Sequence, residues 1–358
     1  MSSPSLRGLR LSPQALRLSE HSLARRIGTR RAGCAVIAIL LILGVAAPDR
    51  IDPGQYRVPG LDDTALHLAI IGRIAAGEPV YASIGTELRA RGYPSASTAN
   101  WRTPFHYWIV AQFGTARIGR ALVIVANLAV FLGAYALRHR FWGSWFVAAV
   151  LLMGTMVPIV TFRPAGIVMA EYWAGMLVAL ALAFYHCRWW TAAACCGVLA
   201  IFVRELAVPF GVICGLFAVS ERRHRESAVW VVGGLAYVVY YLLHAQAVSA
   251  AMLPTDWSWP HSWVRFLGWP FVLQTAWVAG WTIFLPYVVT PIMAALALAG
   301  AFARSMPRQL RWPLVAYALL FCVVGQPFNF YWGFVTAPFW TYALLYTPEG
   351  AKFLVSYR

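Results

Sequence analysis

The sequence predicts an all-α, polytopic membrane protein with about nine or ten transmembrane helices and two interfacial helices in its first external loop. Three observations carry this prediction. Sixty per cent of the 358 residues are hydrophobic and only 12% are charged. The apolar residues fall in long runs, and about twenty of them in a helix cross a hydrocarbon layer of about 30 Å. The arginines stand mostly between those runs and at the N-terminus, as the positive-inside rule requires.

In chain order, residues 1–32 form a basic tail in which Arg25, Arg26, Arg30 and Arg31 precede the first apolar run, so the N-terminus is expected in the cytoplasm. The first span, within 33–48, is expected to be an uncleaved anchor, because more spans follow and no convincing cleavage site is evident. Residues 49–119 read as an external loop, since Asp49, Asp52, Asp62, Asp63, Glu78 and Glu87 offset its arginines. Within it Leu66, Ile70, Ile71 and Ile74 recur at helical spacing before Gly77, which predicts a surface helix with a glycine stop. A second apolar stretch, Pro104 to Phe113, is too short to span comfortably and reads as an interfacial or re-entrant helix.

The multispanning domain, 120–348, is expected to hold spans near 120–137, 142–161, 167–186, 189–203, 206–220, 228–248, 283–303, 312–325 and 332–346. This arrangement places Arg138 and Arg140, Arg188, the Glu221–Arg225 cluster, and Arg304, Arg308 and Arg311 on the cytoplasmic side. One span is preferred in 264–304, because two would put Arg304 outside. Residues 349–358 are left as a cytoplasmic tail.

The net charge of +16 is read as topology and contact with anionic lipid rather than nucleic-acid binding, because no aromatic-studded basic groove is evident. The six cysteines have neither zinc spacing nor a disulfide framework and read as packing residues. No Walker loop, dinucleotide fingerprint, HExxH or nucleophile elbow is apparent, which argues against an ATP-driven pump, a nicotinamide enzyme, a zincin and an ordinary serine hydrolase.

Acidic residues are few, so their positions are informative. Asp62, Asp63, Glu171, Glu205 and Asp256 all fall on the external side in this topology. Asp62 and Asp63 either cap a helix or supply carboxylates to a site. Arg204 and Glu205 interrupt an apolar stretch where charge is costly, as an ion bridge at a turn or as a grip on a lipid phosphate. Arg102, within Trp101-Arg102-Thr103-Pro104, is an interfacial anchor or a ligand cation. Arg163 and Glu171 flank a span as capping charges or cavity lining, and His106 reads as structural or as lining. Asn329, Tyr331 and Trp332 belong to an aromatic belt or stack on a sugar.

The segment LDDTALHLAIIGRIAAGEPVY, with Asp63, Gly77 and Tyr81, resembles the external loop of the C-type membrane glycosyltransferases that use polyprenyl-phosphate sugars, in their bacterial mannosyltransferase-like and lipopolysaccharide core-transferase-like branch. WRTPFHYW matches that family's second surface helix through Arg102 and Pro104. The likeness continues through FRPAGIVMAEYWAGMLVALALAFY and LAIFVRELAVPF, then weakly to NFYWGFVTAP. The chain departs from the family at Thr64, where many members have a second acid, and in lacking a C-terminal soluble domain.

The resemblance implies sugar transfer from a polyprenyl-phosphate donor to a glycan, lipid or protein acceptor on the external face of a bacterial inner membrane. Asp63 would be the base, and Arg102 and Arg204 would stabilise the phosphate. Glu171 would bind sugar or acceptor hydroxyls and Glu205 would hold Arg204 in place, while Asp62, which precedes the family's motif, His106, Arg163 and Tyr331 are substrate-site candidates from the residues themselves. The partners expected are the lipid-linked sugar, membrane lipids and the acceptor, with no nucleic acid. The sequence shows no required cofactor and leaves a divalent metal open. A transporter or flippase of lipid-linked sugar, and a non-enzymatic membrane assembly subunit, are the alternative readings.

Overall fold

The computed structural model describes residues 31–46, 62–139, 143–155, 167–260 and 262–356. Within them the chain is all-helical, and its sole β-type pairing is an isolated antiparallel bridge between Val264 and Val324. The helices are α1 (Arg31–Ala46), α2 (Asp63–Ala75), α3 (Val80–Ala90), α4 (Phe105–Phe113), α5 (Thr115–Leu137), α6 (Ser144–Thr155), α7 (Ala170–His186) and α8 (Trp190–Val203). They continue as α9 (Val208–Ser220), α10 (His224–Ala251), α11 (Gly268–Val278), α12 (Val289–Gly300), α13 (Arg308–Val323), α14 (Gly333–Leu345) and α15 (Thr347–Val355).

Each apolar run carries a helix. Two of these, Thr115–Leu137 and His224–Ala251, are long and apolar enough to cross a membrane on their own. The others are shorter, because turns interrupt the chain between them.

Helix α7 is the axis of the bundle. It is apolar almost all round and nearly every residue from Ala170 to Tyr185 is buried, against α5, α8 and α14. Gly175 sets the α7–α14 approach: a Cβ there would lie 2.1 Å from the Phe334 carbonyl oxygen. By contrast, the outward faces of α9 and α10 expose Leu216, Val232, Leu235 and Leu242.

The bundle has a basic end and an acidic end. At the basic end Arg223 pairs with Glu226 at 3.1 Å and Glu221 at 3.2 Å, and lies 4.2 Å over the Trp190 ring. Arg308 approaches Glu221 at 3.8 Å. The acidic end is roofed by the segment between α1 and α5.

Among the described residues of that segment there are three α-helices, not two. The additional one, α3, begins after Pro79 and buries Ile84 and Leu88 one turn apart, a short apolar period diluted by Gly85, Thr86 and Glu87. The glycine stop of α2 stands as expected, with Gly77 at φ 92°. The C-terminal stretch is also helical: α15 packs Gly350 against Ala299, where a Cβ would lie 1.9 Å from the carbonyl oxygen.

The loop from Met252 to Leu267 completes the roof. Arg89 on α3 makes a two-pronged contact with Asp256, at 2.7 and 2.8 Å, and Asp256 also accepts from Ser95 at 2.7 Å. The Trp257 carbonyl accepts from the Ser95 and Ala96 amides. Beyond it, Arg265 N–H donates to Val323 and Gly325 N–H to Trp263, which seams the loop to the end of α13. Asp256→Asn is expected to speed amide hydrogen exchange across 253–259 by about tenfold or more, the equivalent of about 1.4 kcal/mol, while α7 keeps its protection.

Candidate functional site

The roof encloses a cavity of about 810 Å³ at the acidic end. Asp62, Asp63 and His67 from α2, Arg102 and Tyr107 from the α4 region, Arg204 and Glu205 from the α8–α9 turn, and Tyr331 all line it.

Helix α2 contributes first. Asp62 is its N-cap, accepting from the Thr64 and Ala65 amides at 2.9 and 3.2 Å, so the capping role is real and coexists with a place on the cavity wall. Asp63 accepts from the Tyr93 hydroxyl at 2.7 Å. Burial, and then the Asp63 carboxylate, push the Tyr93 phenol upward, so Tyr93 stays protonated and donates. One turn further on, His67 bonds through Nδ1 to the Tyr107 hydroxyl at 2.6 Å. Burial, and then the charge of Arg102, lower its pKa from 6.5 to about 3, so His67 is neutral.

The charged floor of the site comes from elsewhere in the chain. Helix α8 ends at Val203, and Arg204 is extended, with φ −151° and ψ 119°, before a short 3-10 turn over Glu205–Ala207 leads into α9. This break lets the side chain turn inward. Arg204 Nε donates to Glu171 Oε1 at 2.8 Å, and Arg102 Nη2 reaches the same oxygen at 3.2 Å. Glu171 is 1% exposed and Arg204 is 4% exposed. Arg204 also pairs with Glu205, which is 36% exposed.

Arg102 Nη2 additionally donates to the Tyr331 hydroxyl at 3.4 Å, and Asn329 Nδ2 donates to the same oxygen at 3.2 Å. Tyr331 belongs, with Asn329, to a 3-10 turn just before α14, so this turn and the distant Arg102 strap meet on one phenol.

The other expected site residues are distributed as follows. Glu171 lies beneath the wall as the shared partner of both arginines, and His106 is packed behind Tyr107, with ring centroids 4.0 Å apart. Arg163 lies outside the described residues. His67, Tyr93, Tyr107, Trp259 and Trp263 also line the cavity, and sequence reasoning missed them. For His67 a signal existed, since four residues after Asp63 falls on the same helix face. Tyr93 and the two tryptophans carry none, because folding alone brings their loops to α2. Among the described residues no group of three or more His, Cys, Asp or Glu side chains converges as a metal cluster.

The arrangement brings the Asp62 and Asp63 carboxylates of α2, the Arg102 and Arg204 guanidiniums with their paired glutamates, and several aromatic rings around one cavity. Comparison with family models, curated proteins and solved structures finds no match to this chain.

Two outcomes follow from this geometry. Removing Glu171 leaves two facing arginines without their shared partner, so Glu171→Ala should destabilise the fold by about 3–5 kcal/mol, read as a lowered thermal midpoint. Between pH 6.5 and about 3 the unfolded chain holds a proton on His67 that the folded chain does not. Stability should therefore fall as pH drops through that window, and His67→Gln should make the fall shallower in pH-resolved thermal melts.

Proposed function

We propose that the protein is a multispanning membrane glycosyltransferase that transfers a sugar from a polyprenyl-phosphate donor to an acceptor at the acidic end of the bundle. The observation that carries this reading is the cavity whose wall Asp63, Arg102 and Arg204 all line. Those residues come from three separate parts of the chain.

Support for the membrane setting comes from the exposed leucines and valines of α9 and α10, which hydrocarbon would cover, and from the two long apolar helices. The basic loops gather at the opposite end, the cytoplasmic side under the positive-inside rule. This sidedness opens the cavity to the external face.

In the proposed reaction the acceptor hydroxyl oxygen attacks the anomeric carbon from the face opposite the phosphate. The new glycosidic bond forms as the carbon–oxygen bond to phosphate breaks, with inversion. Asp63 takes the hydroxyl proton, and the prenyl phosphate leaves with the bonding electron pair. Tyr93 fixes the Asp63 carboxylate through Oδ1. Arg102 and Arg204 stabilise the developing phosphate charge by charge-assisted hydrogen bonds.

Charge counting assigns Glu205 a part in this. Two arginines face four carboxylates: Asp62, Asp63, Glu171 and Glu205. Glu171 is sealed in, whereas Glu205 is partly exposed, so Glu205 is the group that a phosphate displaces from Arg204. The tryptophans and tyrosines of the roof offer flat apolar faces to a sugar ring.

The test is release of prenyl phosphate from short-chain prenyl-phosphate mannose, arabinose, glucose or galactosamine, with the protein in lipid nanodiscs and a mixed glycan acceptor. Asp63→Asn should lower release by about 10²-fold or more. Full activity in that variant, with the fold intact, would refute Asp63 as the base. Binding of every donor without turnover would favour transport of the lipid-linked sugar instead.

A further inference from the structure

A neutral histidine stands among the charged groups of the cavity, and the reaction above leaves it without a task. Asp63 and His67 are four residues apart on α2, so both face the cavity they line. The His67 ring is 5% exposed, and its one hydrogen bond among the described residues is from Nδ1 to the Tyr107 hydroxyl. The His67 side chain lines the cavity, whereas both ring nitrogens of His106 are buried without a hydrogen-bond partner among the described residues.

The His67–Tyr107 pair has two tautomeric arrangements. Burial holds the Tyr107 phenol in its protonated form. In one of the two arrangements the Tyr107 O–H donates to Nδ1. The imidazole proton of that arrangement resides on Nε2.

We infer that His67 presents Nε2–H to a phosphoryl oxygen of the donor, as an uncharged third donor beside Arg102 and Arg204. This inference rests on the reading of the cavity as a prenyl-phosphate-sugar site. A third cation here would repel Arg102, while a neutral imidazole adds a directed hydrogen bond without that cost. It also places a donor one helical turn from the base, so that acceptor activation and phosphate stabilisation share one rigid element.

The experiment compares His67→Phe, His67→Gln and Tyr107→Phe in nanodiscs. It reads kcat and KM for prenyl-phosphate release, the Kd for short-chain prenyl phosphate alone by quenching of indole fluorescence, and the thermal midpoint. His67→Phe keeps a flat ring and loses the donor, so kcat should fall by about 10²-fold and the Kd should rise. His67→Gln restores an N–H near the same place and should recover most of kcat. Tyr107→Phe frees the tautomer and should fall between the two.

Wild-type kcat and Kd in His67→Phe would overturn the inference, and if Asp63→Asn still abolished release, the cavity reading would stand without it. Equal losses in His67→Phe and His67→Gln, tracking a lowered thermal midpoint, would assign His67 to packing and overturn it as well. Should no donor turn over, the cavity reading fails separately, and an unchanged Kd in His67→Phe would still refute the phosphate contact.

Discussion

The acidic end of this bundle depends on one oxygen. Glu171 Oε1 accepts from Arg204 at 2.8 Å and lies 3.2 Å from Arg102, in surroundings that exclude solvent. A carboxylate so deeply buried is tolerable only with cations at hand, and each arginine needs the acid in turn. That mutual requirement couples the start of α7, the α8–α9 turn and the strap before α4. The cavity exists because these three segments are held at fixed separations around a charge cluster that cannot collapse into an apolar core.

Around that cluster the packing divides the helices into a buried core and an apolar outer face. Helix α7 is apolar almost all round, Glu171 at its start excepted, because nearly all of it is buried against protein, while α9 and α10 turn leucine and valine outward. Polar backbone is concentrated at helix breaks, and there it finds partners. The carbonyl of Leu206, freed by the Arg204 turn, accepts from the Tyr317 hydroxyl, and the Ala207 amide donates to Arg204. The break is stabilised where the Tyr317 side chain from α13 answers it. The same break turns an arginine into the cavity.

Much of the helical architecture was legible in the sequence. Long apolar runs have few alternatives to helix, and Gly77 and Pro104 punctuate the surface segment as their backbone preferences require. Helix α3 was not legible, since Gly85 and Glu87 interrupt its apolar face and its burial depends on partners supplied by α2 and α10. The C-terminal helix α15 was likewise hidden, because its seat is the close approach of Gly350 to Ala299.

By itself, the sequence determined that the chain is helical and apolar, that its basic residues cluster between helices, and that acids are scarce, with Asp63, Glu171 and Glu205 among the few. Those properties are local, being set by residue type and spacing. Only the tertiary structure decided that Glu171 is shared between two arginines, that Asp62 caps a helix while Asp63 binds Tyr93, and that His67 is neutral beside Arg102. It also decided that His106 sits behind the wall instead of on it. Partner choice and burial arise between segments far apart in the chain, and no local pattern encodes which distant side chain will fill the last coordination of a buried charge.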